Sequence, residues 1–116
     1  MIKYKNKYGN VKVKNGIHLF DSKKEMRRYH DLLLLVKAGE IQNLQVHPKF
    51  TLQKGFRDRG GKAIRAVTVT WDFYYTKGIK VFVEDVKSPI TRRETAYNIR
   101  KRLFVWKYPD IEFLEV

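Results

Sequence analysis

Two neighbouring runs of alternating residues limit most strongly what this chain can fold into. Residues 63–75 and 79–86 are rich in Val, Thr and aromatic side chains, a pattern typical of half-buried strands. Between them, Lys77-Gly78 fits the two-residue loop of a hairpin, in which the glycine supplies a positive φ. The two runs therefore predict an antiparallel hairpin in the second half of the chain.

Three charged residues lie at the end of this hairpin. With Lys77-Gly78 as the loop, Asp72 falls opposite Val83, and residues two apart in a strand share a face. Asp72, Asp85 and Lys87 then project from one side, and the two aspartate Cα atoms are about 7–8 Å apart as diagonal neighbours. Both carboxylates can reach one divalent cation from that distance. A slip of one residue would separate them, so this prediction depends on the turn.

The chain is strongly basic. It has 25 Lys and Arg residues against 12 Asp and Glu residues, a net charge of +13 in 116 residues. The excess positive charge falls in segments 3–28, 54–65 and 92–107. This distribution is typical of a polyanion-binding protein, so we expect contact with nucleic acid. A solvated basic surface or association with the ribosome would also explain the charge.

Length and composition indicate a single domain over residues 1–116, in which residues 1–10 form a basic flexible arm. No stretch approaches 18 apolar residues, so we expect no membrane span. The basic N-terminus lacks the apolar segment of a secretory signal. The absence of cysteine excludes disulfides and suits a reducing compartment, and we therefore expect a cytoplasmic protein.

Two stretches have helical periodicity. Ser22 and Glu25 fit a capping box that opens a first helix, which runs to about Lys37. Thr91 caps a second helix, which runs to about Lys107. In the second helix we expect an apolar stripe to pack on the core and the opposite face to be basic. The stripe is Ala96, Ile99, Leu103 and Trp106, and the opposite face is Arg93, Tyr97, Arg100, Lys101 and Phe104.

The order of elements predicts an α/β (α+β) protein. We expect a short N-terminal hairpin around Asn15-Gly16, a strand over residues 44–52 interrupted at Pro48, a mobile basic loop at 55–61 and a last strand over 111–116. A strand on each side of the second helix indicates a crossover, whereas the middle hairpin is antiparallel. The order helix, three strands, helix, strand therefore predicts a mixed central sheet flanked by helices.

This order and these residues resemble the PD-(D/E)XK nuclease superfamily, whose restriction-endonuclease-like core has the order αβββαβ. Its signature is an Asp, a variable gap, then Asp or Glu, any residue and Lys, and it matches Asp72 and Asp85-Val86-Lys87. Many members, including phage endonuclease I-type Holliday junction resolvases, add a glutamate on the first helix, where this chain has Glu25. Most of the chain resembles small phage and prophage proteins of this superfamily. In these a glutamine commonly stands at the position of His47. If that side chain helps to position the metal or substrate, His47 must substitute for it, or the contribution is absent.

The resemblance implies a Mg²⁺-dependent DNA endonuclease that hydrolyses phosphodiester bonds, with Mn²⁺ able to replace Mg²⁺. It implies that Asp72 and Asp85 bind the metal together with the backbone carbonyl of Val86. Glu25 would complete the acidic cluster, directly or through water. Lys87 would orient or help to deprotonate the attacking water, or stabilise the developing charge.

The implied substrate is branched DNA such as a Holliday junction, by analogy with small resolvases. Cutting two strands symmetrically would need a homodimer, to which exposed aromatics such as Tyr74 and Phe104 could contribute. For a phage-encoded protein the compartment would be the cytoplasm of the bacterial host. We expect basic residues of the second helix and of the loop at 55–61 to bind the DNA backbone without reading sequence. The nucleic-acid-binding candidates are Arg57, Arg59, Arg93, Tyr97, Arg100 and Lys101.

Simpler roles are open for these residues. Asp85 and Lys87 also suit an exposed cross-strand ion pair, and the capping box alone explains Glu25. Glu84 is a weaker ligand candidate because it falls on the opposite face, with Trp71, Phe73 and Phe82. The histidines lack metal-ligand spacing and are expected at the surface or at an interface, and Trp71 and Trp106 in the core. The histidines are His18, His30 and His47.

Three other functions fit the same sequence. The first is a non-catalytic nucleic-acid-binding module that keeps the nuclease fold. The second is a structural or replisome adaptor that acts through protein contacts, for which a strong salt dependence of DNA affinity would be unexpected. The third is a nuclease that acts on linear ends or on RNA.

Overall fold

The computed structural model describes residues 2–5, 11–15, 18–87 and 94–116, with side chains from Phe20 onward. Within these ranges the chain forms two helices and eleven strands, so the predicted α+β class is confirmed. The helices are α1 (Lys23–Lys37) and α2 (Thr95–Lys107). The strands are β1 (Ile2–Lys5), β2 (Val11–Asn15), β3 (His18–Phe20), β4 (Gln42–Val46), β5 (Lys49–Gln53), β6 (Phe56–Arg57), β7 (Ala63–Ile64), β8 (Val67–Thr70), β9 (Phe73–Lys77), β10 (Lys80–Asp85) and β11 (Ile111–Glu115).

A mixed four-stranded sheet in the order β11-β10-β9-β4 forms the centre of the protein. Strand β10 runs parallel to β11 and antiparallel to β9, which is antiparallel to β4. The parallel pair is joined through α2, which is the predicted crossover. Helix α1 contributes Leu32 to one core cluster with Phe73 and Tyr75, and α2 contributes Tyr97 and Phe104 to the other. The two helices therefore cover opposite faces of the sheet.

Helix α1 begins and ends where its sequence predicts. The Ser22 hydroxyl accepts a hydrogen bond from the Glu25 N–H (3.1 Å), and the Glu25 carboxylate accepts one from the Asp21 N–H (3.1 Å). These bonds satisfy backbone donors that the first helical turn leaves without partners. At the other end, Gly39 has φ +76°, a conformation that favours glycine and ends the helix.

The central hairpin has a different loop from the one predicted. Lys77 pairs with Lys80, so the loop is Gly78-Ile79, and Gly78 has φ +60°. The prediction of Lys77-Gly78 was therefore wrong by one residue, and each residue of β9 pairs two positions further along β10 than expected. A shift of two leaves every side chain on the same face. Continued past the last pair, the observed register puts Asp72 level with Asp85 instead of Val83.

The strand predicted over residues 44–52 is broken in two, β4 and β5, and the strand predicted over 63–75 is broken in three, β7, β8 and β9. Strand β4 pairs with β9 in the central sheet, whereas β5 pairs with β8 in a separate two-stranded sheet. At the break the His47 N–H donates to the Asp72 carbonyl (2.9 Å) and the Trp71 N–H to the Pro48 carbonyl (3.0 Å). His47 has φ +56° and Pro48 has no N–H, so a regular ladder cannot continue there.

This strand break changes which way Trp71 faces. Trp71 packs in the α2 cluster, while Phe73 packs in the α1 cluster. The prediction that Trp71 shares a face with Phe73 and Glu84 is therefore wrong. That prediction assumed an unbroken strand, in which side chains alternate with a period of two residues. The bend at Trp71 and Asp72 interrupts this alternation.

The two faces of α2 are the reverse of the prediction. Tyr97 and Phe104 are buried, whereas Ile99, Leu103 and Trp106 are exposed, Trp106 by 74%. Phe104 meets the rings of Phe50 and Trp71 edge-on, at centroid distances of 4.9 and 5.5 Å. These aromatic contacts select the buried face. The predictions that Trp106 lies in the core and that Phe104 is available to a dimer partner are wrong. The predicted cap Thr91 lies outside the described residues, and α2 begins after Glu94.

Besides the β5-β8 pair, two more small sheets lie outside the central one. Strands β1, β2 and β3 form an antiparallel sheet that contains the predicted N-terminal hairpin. Its first strand, Ile2–Lys5, lies within the segment predicted to be a flexible arm. The basic segment 55–61 is not an irregular loop, because Phe56–Arg57 pairs with Ala63–Ile64. Neither described helix is long and apolar enough to cross a membrane.

The reversed faces of α2 give a test of the fold. Replacing the buried Phe104 with Ala should lower the free energy of unfolding by about 3–5 kcal/mol, because it leaves a cavity between α2 and the sheet. Replacing the exposed Trp106 with Ala is the matched control and should change the free energy of unfolding of the monomer by less than about 0.5 kcal/mol. Urea denaturation at protein concentrations too low for association measures both. A larger loss for Trp106→Ala would contradict the described orientation of α2.

Candidate metal centre

One end of the central sheet collects acidic and histidine side chains from several elements. Strand β10 ends at Asp85, β4 is followed by His47, and the antiparallel β9 is preceded by Asp72. Because β9 runs opposite to its two neighbours, these three positions meet at the same end of the sheet. The first turn of α1 adds Glu25, and Glu115 at the end of β11 pairs in register with Asp85.

Glu25, His47 and Asp72 form a cluster with the spacing of metal ligands. Each offers one ligand atom, and these atoms lie within 4.8 Å of one another. The Glu25 side chain is only 2% exposed and hydrogen-bonds to Nε2 of His47 at 2.7 Å. His47 had been predicted at the surface or at an interface, and its place in this cluster corrects that prediction. Pro48 is the residue in the sequence that could have indicated this position of His47. A proline breaks the strand, and the side chain before the break leaves the regular alternation.

Asp72 and Asp85 bring their carboxyl groups together as the sequence predicted. They share a hydrogen bond, and Oδ2 of Asp72 also accepts one from the Val86 N–H at 2.6 Å. Burial above all, then the hydrogen bond to Asp85 and the charge of Glu25, raises the pKa of Asp72 to about 10. Without a metal, the raised pKa favours a proton within the Asp72–Asp85 pair at neutral pH.

Lys87 is buried beside this acidic pair. Its ammonium group forms an ion pair with Oδ2 of Asp85 and lies 3.8 Å from the centroid of the Tyr97 ring. Only 8% of the Lys87 side chain is exposed, so the alternative of an exposed cross-strand pair does not apply. The Tyr97 hydroxyl in turn donates to Glu115, whose other oxygen accepts a hydrogen bond from Lys101 at 2.7 Å. Contacts from α2 thus fix Lys87 in place.

Positive groups of the protein balance the buried carboxylates. Lys87 faces Asp85, and His47 faces Glu25. The hydrogen bond to Glu25 raises the pKa of His47 despite its partial burial. Three carboxyl groups are therefore held close together by the Lys87 ammonium group, by the hydrogen bond between His47 and Glu25, and by the proton that the raised pKa of Asp72 favours. A divalent cation could supply positive charge in the same place and displace that proton.

The donor atoms fit a small divalent cation. In octahedral coordination at about 2.1 Å, neighbouring ligands lie about 3 Å apart and opposite ligands about 4.2 Å apart. The spacing within 4.8 Å needs only a small inward movement to reach these values. Carboxylate oxygens suit both Mg²⁺ and Mn²⁺. Glu25, His47, Asp72 and, after release from Lys87, Asp85 are the residues that could hold it. The role of the Val86 backbone carbonyl as a metal ligand stays a prediction.

Glu84 has a different environment from its neighbour Asp85. It is fully buried on the α1 side, where both its oxygens accept hydrogen bonds from the Arg28 guanidinium at 2.7 Å. The Tyr75 hydroxyl donates to it as well, at 2.5 Å. With these three bonds Glu84 ties α1 to β10 and is separate from the acidic cluster, as its position on the other face predicted.

The predicted nucleic-acid-binding residues do not form one surface. Tyr97 is 2% exposed and covered by Lys87, so its prediction as a contact residue is wrong. Lys101 is half-buried and paired with Glu115. Arg93 lies outside the described residues. The exposed members of the set are Arg57, Arg59 and Arg100.

Comparison with known proteins places the chain in a family. Residues 5–115 match the model of a family described as a protein of unknown function, DUF1064. The chain belongs to this family. No curated protein and no solved structure matches it. The family description names no activity, so the chemistry of the chain rests on its own residues.

The raised pKa of Asp72 predicts how the stability of the metal-free protein depends on pH. The unfolded carboxyl has a pKa near 3.8, so the protonated form stabilises the fold at low pH and this stabilisation is lost as pH rises towards 10. In EDTA the free energy of unfolding should fall between pH 6 and 8, by up to about 1.4 kcal/mol per pH unit. The contribution of His47 has the same sign, because its folded pKa lies above 6.5.

Replacing Asp72 with Asn should remove most of this pH dependence and stabilise the metal-free protein at pH 8. The amide keeps an acceptor for the Val86 N–H and cannot ionise. Asp110→Asn, at an exposed position, is the control and should keep the wild-type slope. Urea titrations at pH 6, 7 and 8 measure these slopes. Equal slopes for Asp72→Asn and the wild type would contradict the assignment.

Proposed function

We propose that the protein is a DNA endonuclease that uses Mg²⁺, or Mn²⁺ in its place, to hydrolyse phosphodiester bonds. The observation that carries this proposal is the cluster of Glu25, His47 and Asp72 next to the buried pair of Asp85 and Lys87. A protein gains no stability from packing three carboxyl groups together without a cation. Such clusters occur where a site must bind a metal and a negatively charged substrate.

Each residue of the cluster has a role in the proposed reaction. Asp72, Asp85 and Glu25 would hold the cation, and His47 would join them or orient Glu25 through their hydrogen bond. The cation would neutralise charge on the scissile phosphate. Lys87 lies between a carboxylate and the face of the Tyr97 ring, contacts that suit an ammonium ion. It would therefore stabilise charge on the phosphate or orient the attacking water, and it would not remove a proton from that water.

The order of elements supports the resemblance to the PD-(D/E)XK nucleases. Around the central sheet the chain runs α1, β4, β9, β10, α2, β11, an order of helix, three strands, helix and strand. Asp72 stands just before the second of these strands, and Asp85 and Lys87 stand at the end of the third, in the order Asp, gap, Asp, any residue, Lys of that superfamily's signature.

The charge distribution supports DNA as the substrate. Arg57 and Arg59 are exposed on the ribbon formed by β6 and β7, and Arg100 is exposed on α2. With a net charge of +13, these side chains can neutralise backbone phosphates without reading bases. We include branched DNA in the proposal by analogy with small junction resolvases.

A nuclease and a non-catalytic binding module differ in their response to one substitution. In Mg²⁺ or Mn²⁺ the wild type should cleave at least one of four substrates: a four-way junction, a flap, a duplex and a single strand. Asp85→Asn should lower cleavage at least about 100-fold while DNA binding in EDTA is kept or improved, because a negative charge is lost. Asp110→Asn should keep full activity. Cleavage of none of the substrates by the wild type would remove the enzyme assignment.

Symmetric cutting of a junction requires two active sites, so the proposal includes a homodimer. The exposed stripe of Ile99, Leu103 and Trp106 on α2 supports it, because apolar side chains at this spacing are usually covered. Arg100 and Arg102 flank the stripe and would repel a second copy. We therefore expect dimerisation to strengthen with salt, which sedimentation equilibrium at 0.05 and 0.5 M NaCl would measure. A monomer at both salt concentrations would contradict this part of the proposal.

A further inference from the structure

A basic pocket lies next to the acidic cluster on the side of α1. It has a volume of about 410 Å³ and is bounded by the first half of α1, the residue that follows β10 and the residue that follows β11. We call it the α1 pocket. Its lining residues are Lys24, Arg27, Arg28, His30, Asp31, Val86 and Val116.

Cationic side chains outnumber acidic ones in the lining of the α1 pocket. Three of its side chains are cationic and one, Asp31, is acidic. Glu84 holds the Arg28 guanidinium in place and balances its charge. Lys24 and Arg27 are exposed and supply the remaining positive charge. A concave surface with fixed and exposed cationic groups suits a phosphate, which accepts hydrogen bonds from several donors at once.

Two contacts connect the α1 pocket to the acidic cluster. Val86 lines the pocket, and its N–H donates to Oδ2 of Asp72 at 2.6 Å. Lys24 precedes Glu25 in α1, and its ammonium group donates to the Lys87 carbonyl at 3.1 Å. A group bound in the pocket is thus separated from the cluster by one segment of backbone, residues 86–87.

We propose that the α1 pocket binds a phosphate of the DNA backbone, next to the phosphate that is cut. The position beside the scissile bond rests on the proposed nuclease function, whereas phosphate binding in the pocket does not. The first half of α1 therefore joins the DNA-binding surface, in addition to Arg57, Arg59 and Arg100. Arg27 is the residue on which the test depends, because its side chain is exposed and takes no part in the contacts described for the acidic cluster.

The test measures the salt dependence of DNA binding without cleavage. A fluorescein-labelled duplex of 20 base pairs is titrated in EDTA with the wild type, Arg27→Gln and Lys37→Gln at several salt concentrations. Lys37, in the last turn of α1, is exposed and provides a control with the same loss of charge outside the pocket. One lost phosphate contact flattens the slope of log K against log salt by about 0.9 and weakens binding about eightfold at 0.1 M salt.

We expect this change for Arg27→Gln and a smaller one for Lys37→Gln. Equal effects of the two variants would overturn the inference and reduce α1 to a generally basic surface. Competition with inorganic phosphate and with a 5′-deoxynucleotide separates two sources of the same chemistry. If either ligand binds at micromolar concentration in an Arg27-dependent way while duplex binding is unchanged, the pocket serves a free anion and the inference is wrong.

The same variants separate this inference from the proposed function. If no DNA is cleaved in Mg²⁺ or Mn²⁺ but Arg27→Gln still flattens the salt slope, the pocket binds DNA phosphate and the nuclease proposal fails. If the wild type cleaves DNA and the slope is unchanged in Arg27→Gln, the nuclease proposal holds and the pocket assignment fails. Thermal unfolding of each variant checks that the fold is intact.

Discussion

The paired break of two strands, at His47-Pro48 and at Trp71-Asp72, is the constraint on which the rest of the structure depends. Two backbone hydrogen bonds join the broken strands, so the whole ribbon bends as a unit instead of fraying. The bend ends the central sheet at the point where β10 also ends. Trp71 is directed into the core under α2, while Asp72 and His47 lie at the end of the sheet beside Glu25. The acidic cluster is thus a consequence of where the strands stop.

Electrostatics make this end of the sheet costly to fold and suited to binding a cation. Burial and neighbouring carboxylates raise the pKa of Asp72, and Lys87 and His47 pair with carboxylates that a metal ion could bind instead. Apolar core residues in these positions would stabilise the fold more than the buried carboxyl groups do. Two ion pairs lie beside the cluster: Arg28 and Glu84 join α1 to β10, and Lys101 and Glu115 join α2 to β11. Each helix is thus joined to the sheet next to the cluster.

Much of this arrangement could be predicted from the sequence, and the errors have physical causes. The hairpin loop was misplaced, yet Asp72 and Asp85 stayed on one face because the register error was two residues and strands alternate with that period. His47 was not assigned to the cluster because a strand break brings it there. The spacing of ligand residues along the chain does not indicate such a break. The faces of α2 were reversed because apolar residues occur on both. Periodicity cannot rank Tyr97 and Phe104 above Ile99 and Trp106 without the aromatic partners from the sheet.

The most direct test of a metal centre at the end of this sheet is a crystal structure of the protein grown with Mn²⁺, with the ion located by its anomalous scattering. The account predicts a peak within about 2.3 Å of an oxygen of Asp72, with Asp85 turned from Lys87 towards the ion and Glu25 or His47 as a further ligand. Diffraction at high Mn²⁺ concentration that shows no peak at these residues, with Asp85 still paired to Lys87, would contradict it.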